Sequence, residues 1–328
     1  MEERIHFSGT SVPEMIRSNY ILYVPAAFLA VFAIQREFLK PATEARIDFL
    51  LLVLLAGVAV LFGSALLATF SDSFRRVFRH NLPFWFSLLC IFVVYDFATE
   101  LLQVLNPSYF PSPDRIAYVF ADDAGLIAGS ILHSLWLLAA GFLTGASAGL
   151  ITGILAGSFN IGRYWLMPLV KVVGPIPATA WLPIAIAAMP TTFSAALFLI
   201  AVSVWFPVTV MTASGIMNVS PAFIEAGKIL GAGRIRLALG VAFPSALPTI
   251  FTGLFMGLGS SFLTLVAAEM SGVKAGIGFY IVWARDYADY GRIYASLIVA
   301  SGVFFIIMTT LFKVRDRVLS WQRELIKW

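Results

Sequence analysis

Residues 134–157 read SLWLLAAGFLTGASAGLITGILAG, a stretch of 24 residues without a charged side chain. A helix needs about 20 mostly apolar residues to cross the hydrocarbon core of a bilayer, so this stretch predicts a transmembrane helix. Small residues recur every four positions along one side of it, at Gly141, Gly145, Gly149, Gly153 and Gly157. Such a stripe favours close helix packing. It predicts either static packing within the chain or an interface at which two subunits slide.

The rest of the chain has the same character. Of its 328 residues, 60% are hydrophobic and only 12% are charged, a composition far outside the range of soluble globular domains. Eight runs of roughly spanning length lie at 20–35, 49–70, 82–104, 129–156, 164–189, 193–214, 243–268 and 293–312. The sequence therefore predicts an all-α polytopic membrane protein with about eight transmembrane helices. No A-x-A-like cleavage site precedes the first run, so we expect that run to be retained.

Basic residues are unevenly distributed between alternate connections. One set of connections, which includes both termini, carries 14 lysines and arginines, and the other set carries 7. The positive-inside rule predicts that both termini are cytoplasmic. The net charge of +4 is explained by this topology, and we predict no nucleic-acid partner.

The sequence contains few residues in patterns suited to catalysis, cofactor binding or metal binding. Cys90 is the single cysteine, which excludes a disulfide framework or a cysteine-rich metal site. GSFNIGRY at 157–164 has two glycines at phosphate-loop spacing, but Arg163 and Tyr164 replace the motif's lysine and hydroxyl residue, and no strand precedes it. His133 lacks partners at ligand spacing. We therefore predict no catalytic, cofactor-binding or metal-ligating residue.

The loop over 215–240 lies on the predicted cytoplasmic side. Asn218 and Ser220 are candidate caps, and Pro221 suits a first helical turn. Apolar residues then share one helical face, at Phe223, Ala226, Ile229 and Leu230. Gly231 and Gly233 are expected to give the backbone freedom to turn, and Pro244 and Pro248 to interrupt the start of the following run.

This loop resembles the EAA loop, E-A-A-x3-G-x9-I-x-L-P, of permease subunits of binding-protein-dependent ABC importers. Glu225, Ala226, Gly231 and Pro244 match the pattern, while Gly227 replaces its second alanine, and Val241 and Phe243 replace isoleucine and leucine. In that family the loop forms a coupling helix that docks on a cytosolic ATPase. The resemblance implies these coupling residues: Glu225, Ala226, Gly227, Lys228, Leu230, Gly231 and Pro244.

The resemblance extends from about Phe110 to Trp321 through FPSPDRIAYVF, MPLVKVVGPIPATAWLPIAI, VAAEM at 266–270 and GIGFYI at 276–281. This order of motifs is similar to the nitrate, sulfonate, taurine and bicarbonate branch. It implies a type I importer permease core over 81–328 and an N-terminal extension with two transmembrane helices over 1–80. It also implies that the chain forms a homodimer in an inner membrane. The implied partners are an extracytoplasmic solute-binding protein and a dimer of ATPase subunits, which bind the ATP and Mg²⁺ while this chain binds neither.

The fifth run combines four prolines with a charge. Pro168, Pro175, Pro177 and Pro183 remove donors that lipid cannot replace, and broken helices near the midplane expose backbone groups to substrates in transporters. We predict a translocation pathway formed by Lys171, Pro175, Pro177, Thr179, Trp181, Pro183 and Glu269. The alternatives are a simple kink, a snorkelling Lys171, and contact with water for Asp96, Glu100 and Glu269 near the outer interface.

A second class of function fits the composition equally. A secondary transporter or a membrane scaffold would need no ATPase, but a secondary carrier is expected to show an inverted repeat with matching broken helices, and we find no convincing repeat. The predicted function is therefore the membrane subunit of an ATP-driven importer of a small polar solute, an anion of the nitrate, sulfonate, taurine or bicarbonate class.

Overall fold

The computed structural model describes residues 104–322 continuously, and before them only positions 87, 91, 94, 95, 98, 99 and 102. The predicted extension over 1–80, together with Cys90, Asp96 and Glu100, lies outside the described residues. The chain separates into two compact units, Met1–Asp122 and Asp123–Trp328. In the first unit, helix α1 spans Pro113–Asp122, and the Tyr95 hydroxyl donates to the Pro111 carbonyl just before it, at 2.9 Å.

Every regular element that the structure describes in the second unit is helical. In chain order the helices are α2 (Ala124–Ser158), α3 (Asn160–Val173), α4 (Leu182–Ala188), α5 (Thr192–Met217), α6 (Pro221–Ile229), α7 (Arg234–Leu237), α8 (Phe243–Ser271), α9 (Ile277–Asp286) and α10 (Tyr290–Val318). Four segments are long and apolar enough to cross a bilayer, namely α2, α5, the continuous Arg234–Ser271 run and α10. The prediction of an all-α polytopic membrane protein is confirmed.

Helices α2 and α5 lie side by side and run in the same direction. Methyl groups built on the five stripe glycines of α2 would meet α5 at Ile200, Val204, Val208, Thr212 and Ile216, in that order. Both helices therefore begin on the same side of the bilayer, and the chain between them must cross it. That crossing consists of α3, a 3-10 turn at Ala178–Trp181 and α4, although its two parts meet at 83°.

Helix α8 packs against α5 in the opposite direction. Gly215 of α5 lies against Ala246, near the beginning of α8, whereas Gly257 lies against Val204 further back along α5. The Ser260 hydroxyl joins the same pair by donating to the Ser203 carbonyl at 2.9 Å. Helix α10 then returns along α8, where the rings of Phe255 and Phe312 stack at 4.1 Å and those of Phe262 and Phe304 lie 4.6 Å apart.

These directions define the two sides of the membrane unit. Helices α2, α5 and α10 end on the side that carries α6, which we call the α6 side. They begin on the opposite side, which carries α9 and which we call the α9 side. The second unit therefore has up to five bilayer crossings over its described residues, with the bent pair of α3 and α4 counted as one.

The break predicted from the prolines of the run at 164–189 is present, because Pro175 and Pro177 stand between α3 and α4. One sequence expectation about spans is wrong. Pro244 and Pro248 do not interrupt the next run, which is helical throughout Arg234–Ser271. A π turn at Ala238–Ala242 lies directly before Pro244, and in it the Phe243 N–H donates to the Ala238 carbonyl. This wider turn accommodates Pro244, which has no backbone N–H to donate.

Candidate functional site

The segment between α5 and α8 is a short helix with a defined C-terminal turn. Pro221 occupies the first turn of α6. After the helix, Gly231 has a φ of 77°, the Ala232 N–H donates to the Gly227 carbonyl at 3.0 Å, and the Gly231 N–H donates to the Lys228 carbonyl at 2.9 Å. This pair of bonds is a Schellman motif. Gly233 has an ordinary φ of −69°, so of the two glycines expected to turn the chain, only Gly231 uses left-handed backbone.

Helix α6 has one attached face and one exposed face. Gly227 is buried against Leu237, whose Cδ2 would lie 2.6 Å from a methyl group at that position. Ile224 packs against an apolar cluster of α5 and α8 that includes Ile216 and Ala246. The apolar face predicted from the sequence points away from the chain, at Phe223, Ala226, Ile229 and Leu230.

This exposed face is large and has a charged border. Ile229 and Leu230 are 86% and 84% exposed, and Phe223 is 60% exposed. Glu225 and Lys228 of α6 are also exposed, as are Arg234 and Arg236 of α7. Apolar side chains in such a setting are typical of a surface that another protein covers. Pro244, the last predicted coupling residue, lies at the start of α8 and half-buried, away from this face.

The glycine stripe lies inside the second unit. All five stripe glycines are buried, and a methyl group at Gly149 would lie 2.7 Å from Val208 Cβ and 3.0 Å from the Trp205 carbonyl oxygen. Polar side chains also join α2 and α5 near the middle of the stripe. The Trp205 indole N–H donates to the Thr152 hydroxyl at 3.1 Å, and Thr152 and Thr209 share a hydrogen bond at 2.8 Å. In this structure the stripe packs on α5 of the same chain.

The broken crossing is attached at few points. Within α3 only Val170 is buried, and Gly174 lies so close to the Phe206 ring of α5 that a methyl group there would overlap it. Beyond the bend, Ala185 of α4 packs with Ala195 and Leu199. Phe206 lies near the middle of α5, which puts the bend near the middle of the membrane.

Most predicted pathway residues lie on the exposed surface of this crossing. Lys171, Pro175, Pro177, Thr179 and Pro183 are exposed, and Trp181 is half-buried. The indole nitrogen of Trp181 is itself buried and has no hydrogen-bond partner among the residues that the structure describes. The two prolines of the bend need no acceptor, and the Ile176 and Ala180 N–H groups donate to the Val173 and Pro177 carbonyls. Lys171 is a charge on an exposed helix face within one turn of a mid-membrane bend.

Glu269 does not lie with these residues. It is 1% exposed and lies at the α9 side, where its carboxylate accepts from the Ser134 hydroxyl at 2.7 Å and from the Gly278 N–H at 2.9 Å. The His133 Nδ1 atom lies 3.9 Å from the same carboxylate. The expectation that Glu269 lines a pathway or reaches water is therefore corrected, because the chain itself encloses this side chain.

A second polar cluster lies nearby on the α9 side. Asp123, at the beginning of α2, accepts hydrogen bonds from the Tyr280 hydroxyl of α9 and from Arg292 of α10, both at 2.5 Å. Arg292 also pairs with Asp289 at 2.8 Å and lies over the Trp283 ring. Burial and the hydrogen bond to Asp123 raise the pKa of Tyr280 above its usual value, so the phenol stays protonated and remains a donor.

No sequence pattern identifies the partners in these two clusters. Ser134, Asp123, Tyr280 and Arg292 come from separate parts of the chain, and no local spacing relates them. A signal was present for the glycines: Gly276 and Gly278 flank one residue at the start of α9, and such pairs favour close approach of backbone to another group.

The family described as binding-protein-dependent transport system inner membrane component matches residues 149–320. The chain is 35% identical over 200 residues to the nitrate import permease protein NrtB of Synechocystis sp., which covers 60% of this chain and 71% of that protein.

Two further relatives are named for different substrates. A putative aliphatic sulfonates transport permease protein, SsuC of Bacillus subtilis, is 31% identical over 229 residues, with 69% of this chain and 80% of that protein covered. The taurine transport system permease protein TauC of Escherichia coli is 28% identical over 244 residues, with 72% of this chain and 88% of that protein covered. The resemblance to the nitrate, sulfonate and taurine branch is thereby confirmed.

Proposed function

We propose, since the chain belongs to the binding-protein-dependent transport system inner membrane components, that it forms the anion passage of an ATP-driven importer and couples to a cytosolic ATPase through α6. Membership of this family decides against a secondary transporter or a scaffold. In the proposed assembly, two copies of the chain share a dimer of separate ATPase subunits that bind and hydrolyse ATP. A solute-binding protein delivers the substrate from the opposite side.

The exposed apolar face of α6 is the observation that carries the coupling role. A nine-residue helix that exposes Phe223, Ile229 and Leu230 to water would be unfavourable unless a partner covers it, because burying each such side chain is worth about 1.5–3 kcal/mol. The attached face, at Ile224 and Gly227, holds the helix against α5 and the start of α8. Force applied to α6 would therefore reach two crossings directly.

The distribution of charge supports a cytoplasmic location for the α6 side. The described residues at that side include seven basic side chains of the second unit: Arg163, Lys228, Arg234, Arg236, Lys313, Arg315 and Arg317. The described residues at the α9 side of the second unit include three basic side chains, at Lys274, Arg285 and Arg292. Because cytoplasmic connections carry the excess of lysine and arginine, α6 would face the ATPase and α9 the binding protein.

The α3 to α4 crossing is the proposed wall of the passage. A lysine near the middle of a membrane is unfavourable against lipid and is expected to face protein or water. Lys171 would therefore point into a wet route that a second copy of the chain completes. A cation there favours an anionic solute, in keeping with relatives named for nitrate and sulfonates. Pro175, Pro177, Thr179, Trp181 and Pro183 would line the same route.

A glycine pair tests the coupling role. Gly231→Ala places a side chain at a φ of 77°, which costs about 1–2 kcal/mol and should disturb the end of α6. Gly233→Ala is the matched control, since its φ is −69° and no atom lies within 4 Å of the added methyl group. Pull-down of the co-expressed ATPase and ATP hydrolysis would be measured together.

We expect Gly231→Ala, and more strongly Phe223→Asp or Glu225→Lys, to reduce ATPase capture with membrane insertion intact, while Gly233→Ala behaves as wild type. Equal capture by all variants would refute docking through α6. A wild-type chain that captures no ATPase would refute the proposed function as a whole.

A further inference from the structure

Helix α9 is held at its N-terminus by a buried carboxylate. Glu269 of α8 accepts from the Gly278 N–H at 2.9 Å through Oε2, and from the Ser134 hydroxyl of α2 at 2.7 Å through Oε1. Ser134 in turn accepts from the Ile277 N–H at 2.9 Å. Two of the N–H groups that a helix leaves without an internal partner at its first turn are thus satisfied by α8 and α2.

The backbone around Glu269 is shaped to admit the carboxylate. Gly276 has a φ of 104°, and a methyl group there would overlap the Glu269 carboxylate. A methyl group at Gly278 would lie 2.7 Å from Glu269 Cβ and 2.7 Å from the Val266 carbonyl oxygen. Only glycine leaves enough room at both positions, so the turn before α9 and the Glu269 side chain fit each other from two directions.

A second attachment fixes the same helix further along. The Tyr280 hydroxyl, one turn beyond Ile277, donates to Asp123 at the beginning of α2, and Arg292 of α10 pairs with the same carboxylate. Helix α9 is therefore tied to α2 twice, through Ser134 and through Asp123. At its other end, Arg285, Asp286 and Tyr287 are exposed.

We propose that Glu269 is a positioning residue that locks α9 onto α2 and α8, so that the exposed end of α9 moves with the α2–α5 pair rather than independently. Helix α2 is packed on α5 along the glycine stripe, and α5 continues into α6 after three residues. A partner that pushes on the end of α9 would then act on α6 through a packed body. This inference rests on the proposed function only in assigning the two partners, and its structural part stands apart from them.

The test measures the position of α9 in the full chain. Spin labels on cysteines placed at Tyr287 and at Leu132, both strongly exposed, would report the distance between α9 and α2 in a Cys90→Ser background. We expect a narrow distance distribution for the parent chain, and a shifted or at least twofold broader one for Glu269→Ala and Ser134→Ala. Leu263→Ala, an exposed position on α8, is the matched control and should change nothing.

Unchanged distributions in both Glu269→Ala and Ser134→Ala would overturn the inference. If Glu269→Ala does not fold, Ser134→Ala decides alone, because it removes one hydroxyl and leaves the carboxylate and its bond to Gly278.

A second measurement separates positioning from general stability. In the complex with its ATPase, Ser134→Ala and Glu269→Gln should keep basal ATP hydrolysis within twofold of wild type while stimulation by the solute-loaded binding protein falls at least fivefold. Equal loss of basal and stimulated hydrolysis would overturn the positioning role. A wild-type complex without stimulation would count against the proposed function, and the spin-label distances would still decide the inference.

Discussion

Helices α2 and α3 are separated by a single residue, Phe159, yet α2 packs closely against α5 and α3 contacts it at few points. Helix α2 places five buried glycines against it in regular succession, whereas α3 buries only Val170, and the close contact with α5 is made by Gly174, directly after α3. The first contact leaves no space, and the second leaves most of the crossing exposed. The difference indicates that α2 and α5 form a fixed frame, while the broken crossing is a surface free to face water or another subunit.

The largest expected effect comes from filling the frame. Gly149→Leu would place its side chain against Val208 and the Trp205 backbone, where backbone atoms limit relaxation, so we expect a loss of about 3 kcal/mol or more of folding free energy. Gly129→Leu lies on the same helix with no atom within 4 Å of the added carbon and should fold normally. Size-exclusion profiles and Tm of the detergent-solubilised chain measure both. A normally folded Gly149→Leu would refute the frame.

The second effect concerns the exposed crossing. Lys171→Glu should lower anion uptake at least tenfold in reconstituted vesicles, because the substitution reverses the charge on the proposed route. It should not lower Tm, because the side chain is exposed. Lys171→Arg should retain most activity. Lys313→Glu, an exposed change near the end of α10, is the control. Uptake of nitrate, an alkyl sulfonate and taurine would be compared. Unaltered uptake in Lys171→Glu would place the passage elsewhere.

A third, smaller effect is expected where the two regions meet. Gly174→Ala should cost about 1–2 kcal/mol, because its methyl group would overlap the Phe206 ring, although its φ of −58° suits any residue. Adding Phe206→Leu should restore part of the loss, and a double-mutant cycle of Tm or denaturation free energies measures the coupling. Additive losses would show that this contact does not fix the bend.

The smallest effect is expected from the polar contact inside the frame. Thr152→Val removes the partner of Trp205 and Thr209 and should destabilise by about 0.6 kcal/mol, the usual worth of an interhelical hydrogen bond in a membrane. Thr144→Val is the control, because that hydroxyl bonds to carbonyls of its own helix. A larger loss in Thr144→Val than in Thr152→Val would mean that the frame rests on packing alone.

The sequence predicts features that are local to one helix. Apolar length fixes the crossings of α2, α5, α8 and α10, and the four-residue period fixes the line of glycines. The apolar face of α6 follows from its spacing in the same way. None of these patterns states which neighbour a face will meet, so the sequence left open whether the glycines pack within the chain or against a second subunit.

Features that depend on distant residues were beyond reach. In the sequence, Glu269 looks like an ordinary residue at the end of a span. Its enclosure is not visible there, because it comes from Ser134, 135 positions away, and from the glycine turn before α9. The continuous helix through Pro244 depends on a π turn that apolar spacing does not encode. Gly231 and Gly233 look equivalent in the sequence, and only the hydrogen bonds after α6 select Gly231 for left-handed backbone.

The register between α2 and α5 also bears on how the protein is made. Each stripe glycine meets a residue 59 positions later in the chain, from Gly141 with Ile200 to Gly157 with Ile216. At a synthesis rate of roughly 5–20 residues per second, α2 emerges roughly 3–12 s before its partner. The glycine face can therefore meet α5 only after that interval, once the broken crossing has been synthesised.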